Sequence, residues 1–333
     1  MSQLRPVKIA GTGMYVPEHV VTNDDLAKIM DTSDEWIRQR SGIETRYHIR
    51  GEEGSSDLAV QSSKRALEAA GLAASDIDMV IVATLSPDHQ FPGTAAILQA
   101  KLGMDTTPSM DLKCQCSGFL YSLSVAKSLI ATGGYERILV VGAEVHSTVV
   151  DMSTPGRDVS VLFGDGSGAA VLTTSDSGSS IGEISLHSQG EMADKLWLPK
   201  PGTAGGNWIN DEDIAERRNY PQMEGRQVFK HAVTRLNEVV NETLEKNKLS
   251  IDDIDHFLFH QANLRINEKV GSMMNIPAEK IHNNIMKYGN CSAASIPMLL
   301  DECVRSEKIN RGDKVLMAAF GAGFTWAAGV MTW

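Results

Sequence analysis

The sequence predicts an α/β fold built twice from one unit, and two observations carry that prediction. Strand-like and helix-like stretches alternate along the 333 residues, the order expected of largely parallel sheets covered by helices. The second half also repeats the first. L-E-A-A-G-L-A-A-S-D-I-D-M-V-I-V from Leu67 returns as L-E-K-N-K-L-S-I-D-D-I-D-H-F-L-F from Leu244, and E-R-I-L-V from Glu136 returns as D-K-V-L-M from Asp313, both at an offset of 177. Between them Q-C-S-G from Gln115 pairs with N-C-S-A from Asn290, at an offset of 175. The polar turn T-T-S-D-S-G-S-S at 173–180 marks the join, giving halves 1–175 and 176–333.

The elements follow in order. Residues 7–10 read as a strand. Asn23 caps a helix to residue 30, and Ser33 caps another to residue 40. Residues 56–70 carry helix-period apolar positions. Residues 79–85 form a continuous apolar run, the mark of a strand buried on both faces. Residues 94–102 read as helix and 109–112 as strand. A helix over 117–132 closes on Gly133 and Gly134, and residues 137–141 make a further buried strand. The segment 187–220 is irregular and rich in Gly, Pro, Trp and charge; loops this long are usually functional, and Trp197 and Trp208 suggest a covering flap.

Composition excludes several classes. The net charge of −11 argues against a general nucleic-acid or membrane-surface binder. No run of eighteen apolar residues predicts a membrane span, and the N-terminal stretch M-S-Q-L-R-P-V-K-I lacks a signal-peptide core, so a cytoplasmic location is expected. The four cysteines, Cys114, Cys116, Cys291 and Cys303, read as free thiols. C-x-C at Cys114 and Cys116 lacks the second ligand pair of a zinc site, so no metal is expected. G-T-G at 11–13 and F-G-D-G-S-G at 163–168 do not match G-x-G-x-x-G, which sets dinucleotide binding aside.

The chemistry centres on D-L-K-C-Q-C-S-G at 111–118. A cysteine between a strand and a helix meets the unpaired N–H groups of the first turn, whose partial positive charge favours a nucleophilic thiolate. Cys116 reads as that nucleophile or as a buried structural thiol. His260, in H-F-L-F-H-Q-A-N-L-R, is a base, an oxyanion donor or a strand-end histidine. Asn290, in K-Y-G-N-C-S-A-A-S, is an amide donor or a turn residue. Ligands gather at strand carboxyl ends in such sheets, so the repeat brings Cys116, His260 and Asn290 to one end. F-G-A-G-F-T at 320–325 allows close backbone approach to a substrate carbonyl.

The chain resembles β-ketoacyl-[acyl-carrier-protein] synthase III, of the thiolase superfamily. The motifs are W-I-R-Q-R-S-G-I from Trp36, C-S-G-F from Cys116, F-G-D-G-S-G-A-A-V-L from Phe163, M-E-G-R-Q-V-F-K from Met223, H-Q-A-N-L-R-I from His260, Y-G-N-C-S-A-A-S-I-P from Tyr288 and F-G-A-G-F-T-W from Phe320. The resemblance implies a thiolase-like duplicated five-layer α-β-α-β-α fold, a homodimer, and a triad of Cys116, His260 and Asn290. It implies that Cys116 takes an acyl group from acyl-CoA, and that His260 and Asn290 stabilise the enolate left when malonyl-acyl carrier protein loses CO2. The product is a β-ketoacyl thioester of fatty acid biosynthesis. The acyl-enzyme oxyanion falls to the backbone N–H groups of Cys116 and Ala322. Coenzyme A, a substrate rather than a cofactor, is assigned to Trp36, Arg40 and Arg157; Phe91 to the partner's acyl pocket; Arg226, Lys230 and Arg265 to carrier-protein docking. Lys113, Cys114 and Gln115 replace the small residues usual before the nucleophile, and Ala322 and Ala327 replace glycines. The alternative is a relative with the same fold that uses another donor or acceptor in a specialised pathway. A degradative thiolase lacks its second cysteine here.

Overall fold

The computed structural model describes residues 4–176 and 178–333; Ser177, inside the predicted join, lies outside them, as do the first three residues. Two five-stranded sheets form the frame. The first runs in the order Val7–Tyr15, Gly166–Thr174, Arg137–Glu144, Met79–Ala83, Ser109–Leu112, and the second in the order Ser180–Ser188, Thr325–Thr332, Lys314–Gly321, His256–Phe259, Ile281–His282. In each sheet the first two junctions are antiparallel and the last two parallel. The registers also repeat: Met79 pairs with Ile138, and His256 with Val315, each partner shifted by 177.

The strand sequences explain the layering. Successive side chains point to opposite faces. Ile81, Ile138 and Val140 face inward with Leu258, Val315, Met317 and Ala319, against helices Gly118–Ala131 and Ser295–Arg305 between the sheets. Val80, Val82, Leu139 and Val141 face outward, against Ser55–Ala70 and Thr94–Lys101. Phe257, Phe259, Leu316 and Ala318 face outward from the second sheet, against Gly225–Asn247 and Leu264–Met273. Both faces of each sheet are therefore dry, as the unbroken apolar runs require. The layers are α-β-α-β-α.

Several boundaries differ from the expectations. The first strand extends to Tyr15 because its pairing with Gly166–Thr174 continues past a bulge between Ile9 and Gly11. The first cap is Thr22, not Asn23: Thr22 and Asp25 form a reciprocal capping box, while Asn23 is buried and donates to Asp34 and to Ile43 O. That helix stops at Ala27. The segment expected to be irregular holds a short strand, Leu196–Trp197, paired with Gln222–Met223 just beyond it, and a helix, Asp211–Ala215. The Lys200 ammonium gathers this loop, donating to Ala204 O, Asn207 O and Asn207 Oδ1, each at 2.7 Å. Arg217 ties it to Asp151 and Ser153. The segment is a built loop, although Trp197 and Trp208 stay about half exposed.

Candidate active site

Cys116 sits in the turn Gln115–Ser117, which runs straight into helix Gly118–Ala131. Gln115 holds a left-handed φ of 41° to turn the chain. The thiol is 8% exposed. Ser292 Oγ lies 3.4 Å from Cys116 Sγ and donates to it. Ser117 Oγ ties the turn to Thr325 O at 3.0 Å. Gly321 backs onto the cysteine: a Cβ there would stand 2.8 Å from Cys116 Cβ and 3.2 Å from Sγ. Ala322 follows in the same turn, its carbonyl held by Thr325 Oγ1.

Burial decides the ionisation. It pushes the Cys116 thiol up to about 12, and the Ser292 hydroxyl offsets only part of that. Burial thus works against the thiolate expected at the helix start. Desolvation of the sealed sulfur is the largest cause, ahead of the hydrogen bonds from the Ser292 hydroxyl and the Cys116 backbone that oppose it.

His260 continues the ladder beyond His256–Phe259, its N–H donating to Ala318 O at 2.8 Å. It is 4% exposed, and neither ring nitrogen has a hydrogen-bond partner among the described residues. Burial drops its pKa to about 3, with His146 adding to the fall; the ring is a neutral imidazole. Gln261 and Asn263 of its motif are scaffolding. Gln261 Oε1 accepts from the N–H groups of Asn284 and Ile285. Asn263 caps helix Leu264–Met273 and donates to Arg40 O.

Asn290 is 5% exposed and pinned by its backbone, donating to Leu162 O at 2.8 Å and accepting from Gly164 N–H at 3.1 Å. Its Oδ1 accepts from Ser292 N–H at 2.8 Å. That contact fixes the amide orientation and leaves the Nδ2 donors as the free end.

The two nucleophile-like turns do meet, but in a different register from the one expected. Cys114 and Cys291 precede the turns with similar backbone angles, and Gln115 and Ser292 share left-handed φ values of 41° and 44°. The structural offset is 177, so Cys116 corresponds to Ala293, not Cys291. Matching on the C-S dipeptide slipped the register by two. The same offset relates Gly321 to Glu144, a residue that sequence reasoning missed. Buried Glu144 accepts from Ser86 Oγ at 2.6 Å, from the Leu85 and Ser86 N–H groups, and from Ala293 N–H at 3.4 Å. A carboxylate thus fills the second turn, while its counterpart beside Cys116 meets only glycine. The signal for Glu144 was its place at the end of an apolar strand; Ser292 had none beyond adjacency to Asn290.

The outlying candidates fall into three groups. Arg40 and Arg157 lie over the Trp36 ring, 4.2 and 5.3 Å from its centroid, and Arg157 also pairs with Asp31 at 3.0 Å. Arg226 and Lys230 are exposed on helix Gly225–Asn247, and exposed Arg265 on the neighbouring helix lies 5.9 Å from the Phe229 centroid. Phe91 stands alone, 85% exposed. No group of three or more metal-binding side chains occurs among the described residues, and no helix there is long and apolar enough to cross a membrane.

Comparison with known proteins adds the family. Residues 110–190 match the family described as 3-oxoacyl-[acyl-carrier-protein] synthase III, and residues 244–333 match its C-terminal counterpart. A β-ketoacyl-[acyl-carrier-protein] synthase III of Xanthomonas campestris is 44% identical over 327 residues, covering 97% of either chain. The 3-oxoacyl-[acyl-carrier-protein] synthase III of Aquifex aeolicus superposes with a TM-score of 0.90 at 41% identity, covering 98% of this chain and 100% of the other. The priming β-ketosynthase of a polyketide biosynthetic pathway gives 0.91 at 32% identity, covering 99% and 97%. The duplicated fold, the turn bearing Cys116 and this likeness over nearly the whole length agree: the chain belongs to the β-ketoacyl-[acyl-carrier-protein] synthase III family and is a condensing enzyme of the acyltransferase type.

Proposed function

We propose that this enzyme joins an acyl primer from acyl-CoA to malonyl-acyl carrier protein, as the initiating condensation of fatty acid biosynthesis. Cys116 attacks the primer thioester; a C–S bond forms to the cysteine, the C–S bond to coenzyme A breaks, and the thiol proton leaves with coenzyme A. The backbone N–H groups of Cys116 and Ala322 hold the oxyanion. The malonyl thioester then loses CO2, and its electron pair stays as an enolate held by His260 and Asn290. That carbanion attacks the acyl-cysteine carbonyl: a C–C bond forms, the C–S bond to Cys116 breaks, and the released thiolate takes up a proton from solvent. Decarboxylation makes the carbanion without a strong base, so the site needs donors matched to charge that develops in the step. The observation that carries this reading is the pair of uncommitted donors. A buried neutral imidazole without partners and an oriented amide accompany a cysteine backed by glycine.

Other assignments belong to the same proposal. Trp36 and Arg157 take the adenine of coenzyme A, and Arg40 a phosphate; the existing stack of the three supports this. Arg226, Lys230 and Arg265 form a basic patch for the acidic carrier protein on an otherwise acidic enzyme. Exposed Phe91, and exposed Met110 on the open edge strand Ser109–Leu112, support a homodimer in which Phe91 reaches the partner's acyl pocket. The halves divide at 175/176, and the enzyme works in the cytoplasm without a cofactor. A specialised pathway is the second reading, supported by the likeness to the polyketide priming enzyme and by Lys113, Cys114 and Gln115 before the nucleophile.

Intact-protein mass spectrometry with acyl-CoAs from acetyl to dodecanoyl, followed by malonyl-acyl carrier protein, tests the proposal. The wild type is expected to gain one acyl mass and lose it as a β-keto product; Cys116→Ala is expected to gain none. An acyl mass that persists on Cys116→Ala would sink the nucleophile assignment. Preferential loading of medium or long chains favours the specialised pathway.

A further inference from the structure

A second histidine is buried beside the site. His146 follows strand Arg137–Glu144 in the run E-V-H-S and is 2% exposed. Its backbone N–H donates to Asp165 Oδ1 at 2.7 Å. Its ring stacks on Phe163, with centroids 4.5 Å apart, and its Nδ1 lies 3.2 Å from Gly164 O. A carbonyl only accepts, so Nδ1 carries the proton and Nε2 is a bare acceptor. Among the described residues no donor reaches Nε2.

Two ties place this ring at the reaction centre. The segment it leans on, Leu162 to Gly164, is the one that grips the backbone of Asn290 on both sides. Phe163, on whose ring His146 stacks, also bridges Asn290 directly through the backbone. Phe163 walls one face of the His146 ring. An apolar side chain at 146 would complete such a wall with no polar atom left over, whereas the histidine leaves an acceptor that nothing in the chain satisfies. A buried acceptor without a donor is unfavourable until a ligand supplies one.

We propose that His146 Nε2 accepts a hydrogen bond from the acyl primer, so that the enzyme selects acyl-CoAs bearing a hydroxyl close to the thioester. The inference rests on the reading that Cys116 is acylated from coenzyme A. A site shaped to bind a substrate hydroxyl rejects the analogue that lacks it far better than an apolar pocket rejects an added hydroxyl.

The test compares matched pairs, 3-hydroxybutyryl-CoA with butyryl-CoA and lactoyl-CoA with propionyl-CoA, by the rate of acyl-enzyme formation in intact-mass measurements. The wild type is expected to prefer the hydroxylated member of at least one pair by about tenfold or more. In His146→Leu the ratio is expected to fall to about one. In His146→Gln, whose Oε1 can stand in for Nε2, much of the preference is expected to remain. Equal loading of both members of both pairs by the wild type would overturn the inference and leave the acylation reading intact. So would a His146→Leu variant that slows both members alike, since that is the result of lost packing. Failure of every acyl-CoA to load on the wild type would instead overturn the acylation reading, and this one with it.

Discussion

At neutral pH Cys116 is a thiol and His260 a neutral imidazole, because burial penalises both charged forms. A neutral imidazole is an N–H donor, which is what an enolate needs. His260→Ala is therefore expected to slow condensation by about 10²–10³ and acylation by much less, read as acyl-mass gain against malonyl-dependent discharge. Equal loss in both half-reactions would make His260 chiefly the base for the thiol. The three residues were visible in the sequence from motif and strand position. Their protonation states were not, because they depend on how completely distant segments seal the site. Ser292 touches the sulfur from 176 residues away, and Gly321 closes its back.

Among the elements, the turn Ser292–Ala294 from the second half supports the site by packing against the end of strand Arg137–Glu144. Gly142 makes this approach possible: a Cβ there would lie 2.4 Å from Ala293 O, a backbone atom that cannot step aside. Gly142→Ala is expected to destabilise the fold by about 1–3 kcal/mol and to slow acylation by shifting Ser292 off the sulfur. An unchanged denaturation midpoint with unchanged acylation would show that the turn moves freely. Strand existence was legible from unbroken apolar runs such as M-V-I-V-A, which only a sheet covered on both faces can bury. The length of the first strand was not legible, since G-T-G in its middle reads as a break until Gly166–Thr174 is paired to it. Nor was the true equivalence of the two turns, which backbone angles settle and letters do not.

For the whole molecule, burying histidines in neutral form links stability to pH. His260 falls to about 3 and His282 to about 4, both from 6.5, so the folded chain binds fewer protons than the unfolded chain between those limits. Their contribution is complete above 6.5 and is lost as pH falls. For His260 the loss by pH 5 is about 2 kcal/mol. Urea midpoints are expected to drop between pH 7.5 and pH 5.0, and to drop less in His260→Gln. Equal midpoints at the two pH values would contradict neutral burial. Carboxylates such as Asp57 and Glu242, held low against burial by the Gly54 N–H and Lys101 in the one and by Lys246 and His187 in the other, lose their contribution only at still lower pH, so this window isolates the histidines.

The sequence by itself determined the α/β class, the doubling of one unit and the placing of Cys116 at a strand–helix junction. Each of these is written in local periodicity, or in a repeat 177 residues long, and needs no knowledge of contacts. Only the tertiary structure decided how the two equivalent turns differ. The two turns share a backbone, but one faces Gly321 and the other faces the Glu144 carboxylate. Only the tertiary structure left a bare acceptor on His146, because Gly164 O takes its Nδ1 proton and Phe163 covers its ring. Burial and the satisfaction of polar atoms are properties of the closed site, set by residues far apart in the chain, and no local pattern records them.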